Sequence, residues 1–259
     1  MTLPSISALI QPILETSTGT EVTATMATYT SHIPVIQTDE ATRTQFLVRV
    51  YQHLALAVVA FIGFEVFLFS SGLAERIFDF VFGGGGMGWL LILGGFMIVS
   101  AITSRAAYNI ANPGAQYAGL FGLAAAESLI FAPFLWYVFN VRDAAGSVVM
   151  AAITTIVGFG ALTVVAMVTR KDLSFMRPLM LWGGIAAIGL IVAAVLFGFA
   201  LGPMFSVAMI ALAGASILYQ TQTIVRQYPA GAYVGAAVSL FGSLMMMFWY
   251  VLRLFVGRD

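Results

Sequence analysis

Cysteine is absent from the chain, histidine occurs twice, and only 8% of the 259 residues are charged. The first absence excludes disulfides, thiolate metal sites and cysteine nucleophiles, while leaving the redox compartment open, because a chain without thiols suits either side. The scarcity of charge excludes a water-soluble globular domain, in which about a quarter of residues are charged. With 11 basic and 11 acidic residues the formal net charge is zero, so no basic footprint points to nucleic acid or to an acidic lipid surface. A His-Glu-x-x-His pair is missing, and Gly83 to Gly86 is not followed by Gly-Lys-Ser/Thr, which leaves that glycine run as a flexible loop and not a phosphate cradle.

What the chain has is apolar length: 61% of its residues are hydrophobic and its mean hydropathy is +0.99. These residues are bunched into runs of about 20 or more, the length a helix needs to cross about 30 Å of hydrocarbon. The runs predict seven membrane helices over Leu47–Ser71, Trp89–Ala107, Ala115–Phe139, Ser147–Val168, Pro178–Leu201, Met204–Val225 and Ala232–Val256. They are continuous and do not alternate, which excludes a barrel. The breaks carry turn residues or charge: the glycine run, Asn112-Pro113-Gly114, Arg142-Asp143, Arg170-Lys171-Asp172, Gly202-Pro203 and Tyr228-Pro229-Ala230-Gly231. Gly202-Pro203 is so short that the fifth and sixth runs are either a tight hairpin or one bent element, the latter giving six helices.

Residues 1–44 read as a polar, largely disordered tail rich in Thr and Ser, and 45–259 as the transmembrane domain. The tail lacks the basic start and unbroken apolar core of a secretory signal, and Met26 is a second candidate start. With the tail in the cytoplasm, seven basic residues lie inside (Arg43, Arg49, Arg105, Arg170, Lys171, Arg177 and Arg226) and four outside (Arg76, Arg142, Arg253 and Arg258). That bias predicts a cytoplasmic N-terminus. Arg253 and Arg258 fall on the unfavoured side, so a re-entrant last segment stays open.

Function is expected where polar groups lie within these spans. Glu127 sits near the centre of the third, where an ionised carboxylate costs at least about 2.5 kcal/mol, so it is protonated, paired or hydrated. It is either a proton- or cation-responsive group on an internal path or a neutral acid bonded to a neighbouring helix. Glu65, in the outer third of the first span, is within reach of the interface by stretching along its helix. Arg49 and His53, one turn apart, read as an interfacial anchor. Arg105 closes the second span, either snorkelling or turning inward. Ser216, Gln220 and Thr223 form one stripe, and Gly235, Ser239 and Ser243 another; the two are expected to face each other. Met245, Met246 and Met247 point three ways around a helix and cannot converge on a metal, so they are expected in core and lipid contacts.

Phe46-Leu47-x-x-Val50-Tyr51-x-x-Leu54, Leu218-Tyr219-Gln220-Thr221-Gln222, and Ala236-Ala237-Val238-Ser239-Leu240-Phe241 followed by Leu252-Arg253-Leu254-Phe255 resemble, in order and spacing, the Bax inhibitor-1 (transmembrane Bax inhibitor motif) family from about Ala41 onward. The resemblance implies an all-α, seven-helix bundle with a central last helix. It also implies a pH-sensitive calcium leak or a modulator of membrane stress, protein quality control or cell death, without cofactor or catalysed reaction. In family members described as leaks, paired aspartates on the sixth and seventh helices sense pH, latched by an arginine on the second. Here those positions hold Gln220, where the usual motif reads Tyr-Asp-Thr-Gln, and Ser243; Arg105 matches the latch. Neither an amide nor a hydroxyl titrates or binds a divalent cation with carboxylate strength, so the aspartate switch does not carry over. Glu127 is the candidate to supply the lost charge.

An intramembrane aspartyl protease is excluded because Asp39, Asp79, Asp143, Asp172 and Asp259 all fall in expected tails or loops, and a serine type because Ser243 has no nucleophile turn and no nearby base. A secondary transporter would show related halves, and no internal repeat is visible. The expected role is ion (calcium or proton) homeostasis or membrane stress, with a non-conducting regulator or scaffold of a membrane protease or stress factor as the alternative. The expected location is a bacterial inner membrane.

Overall fold

The computed structural model describes residues 33–83, 86–169 and 171–257. Among them are a 3-10 turn, Val35–Gln37, and eight α-helices: α1 Glu40–Ser70, α2 Leu73–Gly83, α3 Met87–Ala107, α4 Pro113–Asn140, α5 Ala145–Val168, α6 Met176–Phe197, α7 Pro203–Gln227 and α8 Tyr233–Val256. All but α2 are long and apolar enough to cross a membrane. The bundle is an all-helical, polytopic membrane fold.

Local chemistry sets the helix ends. Asp39 caps α1, its carboxylate accepting from the Thr42 amide at 3.0 Å, and Asn112 caps α4 by accepting from the Ala115 amide at 3.1 Å, with Pro113 at the first helical position. α6 stops at Phe197, four residues before the expected end, because Gly198 takes the left-handed conformation (φ 71°) that terminates a helix. The chain from Gly198 to Gly202 separates α6 from α7, which rules out a single bent element. α8 runs unbroken, so the last segment is not re-entrant.

Two further differences have physical causes. α1 begins at Glu40, seven residues before its apolar run, because the Asp39 cap extends it through polar positions. Residues 33–44 are therefore not all tail: Val35 is buried, its amide donates to Tyr228 O at 2.8 Å, and Pro34 bridges Pro229. The rest of the expected tail, including Met26, lies outside the described residues. α2 is too short and too charged to read as a span; Ala74 and Val81 are buried while Glu75, Arg76 and Asp79 are exposed, and it packs on α4. Asp79 thus stands on a short helix, outside the seven spans.

α8 is the centre of the bundle, packed by α7, α1, α5, α4 and α3. α1 meets it along one stripe, Phe46, Val50, Leu54, Ala57, Phe61, Glu65 and Leu68, whose spacings of three and four define one helical face. α3 and α4 approach closely because Gly119 has no side chain against the backbone of Thr103 and Ala107. α6 is peripheral, resting on α7 and only touching α3. That loose corner opens the interior.

Candidate functional site

The opening is a cavity of about 530 Å³ bounded by α3, α4, α6, α7 and α8. Its walls are mostly apolar, with Trp89, Leu93, Phe96, Leu123, Met209 and Trp249 among them. Its polar side chains include Glu127 on α4, Ser100 and Ser104 on α3, Ser216 and Gln220 on α7, and Ser239, Ser243 and Tyr250 on α8. Three of the five expected site residues, Glu127, Gln220 and Ser243, therefore share one chamber.

The two positions where the resemblance places aspartates meet directly. Ser243 Oγ donates to Gln220 Oε1 at 2.9 Å, joining α8 to α7. The Ser216 and Ser239 hydroxyls donate to backbone carbonyls of their own helices, Leu212 O at 3.0 Å and Ala236 O at 2.9 Å. Their oxygens remain able to accept. The expected stripes thus face one another through Ser216, Gln220, Ser239 and Ser243. Thr223 does not line the cavity, and Gly235 faces the Tyr108 ring, leaving no room for a Cβ there.

Glu127 is 7% exposed, and no hydrogen bond to its carboxyl forms among the described residues. The reading of an acid bonded to a neighbouring helix is not met; its side chain borders the cavity instead. The chamber combines one acid, an amide and hydroxyl oxygens within a greasy wall, a set suited to water, a proton or a weakly held cation.

Arg105 and Glu65 stand apart from this chamber. Arg105 is exposed at the end of α3, lines no part of the cavity and reaches neither Gln220 nor an acid among the described residues. Glu65 does not snorkel to the interface: it is 7% exposed, and both carboxylate oxygens are buried without a partner in a separate groove. The methionines differ in part from expectation. Met245 and Met247 are buried and Met246 lines the cavity, so all three face protein because α8 is surrounded.

The end of the bundle holding the start of α1 is closed by polar aromatic contacts. His53 Nδ1 donates to Arg49 O at 2.7 Å while its Nε2 lies 3.0 Å from the Tyr117 hydroxyl, and the Arg49 guanidinium lies over the Tyr233 ring at 5.5 Å. The anchor expected from Arg49 and His53 thus also ties α1 to α4 and α8. The Tyr108 and Tyr228 hydroxyls lie 2.8 Å apart; burial, with Tyr108 alongside, holds the Tyr228 phenol above its usual range. Sequence reading missed this tyrosine pair, and also Ser100 and Ser104, whose four-residue spacing on α3 was the available signal.

No curated protein matches the chain. A family model described as "Inhibitor of apoptosis-promoting Bax1" matches residues 43–259, from the first turns of α1 to the C-terminus, and the chain is accordingly a member of the Bax inhibitor-1 family.

Proposed function

We propose that this membrane protein serves ion homeostasis or membrane stress by letting protons or calcium leak through the α3–α4–α6–α7–α8 cavity, with Glu127 as its charged group. The observation that supports this reading is the Glu127 side chain, buried, without a hydrogen-bond partner among the described residues and bordering a chamber that also holds an amide and hydroxyls. An ion entering a largely apolar site needs a compensating charge, and among the described residues no second acid lines that cavity. The basic-residue bias of the loops supports a cytoplasmic N-terminus, and the short chain with compact loops supports a bacterial inner membrane. No catalytic role is assigned.

The alternative, a non-conducting regulator or scaffold of a membrane protease or stress factor, is favoured by a different contact. The Ser243–Gln220 bond joins two uncharged groups where a leak would need titratable ones. Purified protein in vesicles loaded with calcium or a pH dye separates the two. Release across pH that falls at least tenfold in Glu127→Gln supports the leak. Equal release in both proteins removes Glu127 from the mechanism, and a silent native protein that co-purifies with a membrane protease supports the regulator.

A further inference from the structure

The last turn of α8 and the first turn of α7 lie at the end of the bundle opposite the start of α1. An opening of about 770 Å³ lies between them, bordered also by α4 and α5. Two arginines meet there. Arg142, in the turn between α4 and α5, donates from Nη2 to Val256 O at 3.4 Å, and Arg253 donates from Nη2 to Leu201 O at 2.6 Å. Val256 follows Arg253 by three residues on α8, so the Arg142 guanidinium is held against the same helical turn from which Arg253 projects. Leu201 stands two residues before the start of α7, so the Arg253 guanidinium lies at the positive end of that helix, where Gly202 brings no side-chain acceptor to the cap. Both arginines line the opening and both are reachable, Arg142 being exposed and Arg253 half-buried.

Nothing among the described residues balances this charge. No acid lines the opening: Asp143, next to Arg142 in the chain, is not in its walls, and each guanidinium is bonded to a backbone carbonyl and not to a carboxylate. A guanidinium has five N–H donors, so most of them stay available to a ligand. With the N-terminus in the cytoplasm, as proposed, these residues lie on the face where arginines are disfavoured, and the loop bias does not account for two of them in one opening.

The remaining walls select the anion. Phe134, Ile210 and Leu254 give the opening an apolar side, and because α7 begins and α8 ends here, it lies where the spans leave the hydrocarbon, at the level of lipid phosphates. Arginine forks match the anionic oxygens of a phosphate, and the bonds are charge-assisted. A soluble anion would cover the arginines and leave the apolar side bare, whereas a phospholipid covers both. The volume lies in the range of small-ligand sites, about 300–1,000 Å³.

We infer that this opening holds the phosphate headgroup of an anionic phospholipid, with Arg142 and Arg253 as its counter-charges. It shares no lining residue with the Glu127 cavity and stands whether or not that cavity conducts.

The full chain in detergent is titrated with phosphatidylglycerol, with bound stoichiometry and affinity followed by native mass spectrometry. Phosphatidylcholine, whose choline neutralises the same phosphodiester, and glycerol phosphate, which lacks acyl chains, are the controls. Saturable binding of one phosphatidylglycerol, at least tenfold tighter than either control, is expected. Arg142→Gln and Arg253→Gln each weaken it at least fivefold, while Arg76→Gln, which removes an exposed charge on α2 outside this opening, leaves it unchanged. Where Arg253→Gln does not fold, Arg142→Gln in its exposed turn and Thr154→Trp, which narrows the opening from α5 without changing charge, must each weaken binding at least fivefold. Equal affinity for the two lipids, unchanged binding in Arg142→Gln or Thr154→Trp, an equal loss in Arg76→Gln, or glycerol phosphate bound as tightly as the lipid would each overturn the assignment.

Discussion

Ser243 on α8 donates its hydroxyl hydrogen to Gln220 Oε1 on α7 at 2.9 Å, making a neutral cross-link in the wall of a cavity that also holds a buried acid. Truncating Ser243 leaves the Gln220 carbonyl oxygen without its partner; truncating Gln220 does the same to the hydroxyl. Hydrogen bonds between membrane helices contribute about 0.6 kcal/mol on average and up to about 1.7. A double-mutant cycle with Gln220→Leu and Ser243→Ala, read from unfolding in mixed micelles, is expected to return a coupling energy in that range. Additive effects would show that the bond does not bear on stability.

The same pair sets a prediction about pH. An amide and a hydroxyl do not titrate in the accessible range, whereas two carboxylates sharing a site do, in coupled steps. The combined Gln220→Asp, Ser243→Asp variant should therefore add a pH-dependent component to vesicle flux that the native chain lacks. That component should persist when Glu127→Gln is added. A pH profile superimposable on the native one would show that these positions do not gate passage.

Helix packing supplies a test independent of function. A Cβ added at Gly119 would strike the Thr103 carbonyl oxygen and stand 2.6 Å from the Ala107 nitrogen, and backbone on both sides cannot give way locally. At Gly122 the nearest atom is the Thr103 Cγ2 methyl at 2.7 Å, the end of a side chain. Overpacking costs about 1–3 kcal/mol where the neighbour cannot move. Gly119→Ala should fall in that range and Gly122→Ala well below it, measured by thermal unfolding in detergent. Equal losses would mean that α3 and α4 slide apart as freely at one position as at the other.

How much of this was readable in advance divides along one physical line. Spans depend on local apolar length, and six of the seven predicted starts lie within two residues of the observed ones; α1 is the exception because a cap at Asp39, a three-residue signal, extends it over polar positions. α2 was invisible because a short helix with Glu75, Arg76 and Asp79 on one side fails every length criterion for a span. The facing of Gln220 and Ser243 was legible from helical spacing plus the family resemblance. The fate of Glu65 was not: whether an acid near a helix end rises to water or stays below depends on which neighbours cover it, and Leu135 of α4, Thr155 of α5 and Leu244 of α8, which line the same groove, come from contacts that no single helix encodes. For Arg105 the sequence left snorkelling and turning inward both open, because the choice depends on what a neighbouring helix offers, and it is exposed at the end of α3.

Gln222 on α7 shows a buried amide organising a loop. Its Oε1 accepts from the Leu173 amide at 2.9 Å, and its Nε2 donates to Lys171 O at 2.7 Å and Thr169 O at 3.5 Å. One side chain thus satisfies the backbone between α5 and α6, helped by Arg226 Nη2 donating to Thr169 O at 3.4 Å. Gln222→Leu conserves volume but orphans these groups, each at about 1–3 kcal/mol if it stays buried. Hydrogen exchange at Leu173 should rise at least tenfold, while exchange at the centre of α8 is unchanged. Unaltered exchange at Leu173 would show that water replaces the amide without loss.

The cap of α1 makes the last prediction, and its sign follows from chemistry outside the spans. Asp39 Oδ1 accepts from Thr42 Oγ1 at 2.6 Å and Oδ2 from the Thr42 amide at 3.0 Å, and these bonds hold its carboxyl below the usual carboxylate range. A carboxyl whose folded value is depressed stabilises the fold above its unfolded value, about 3.9, and loses that contribution as pH falls through the folded value. Exchange of the Thr42 amide should therefore accelerate below about pH 4, beyond the intrinsic pH dependence of exchange, while amides deep in α1 stay protected. Asp39→Asn keeps an acceptor at the cap, so it should protect Thr42 and remove the extra acid dependence. Asp39→Ala should expose Thr42 at every pH. Native protein and Asp39→Asn giving the same pH profile would show that the ionised carboxylate adds nothing beyond the acceptor itself.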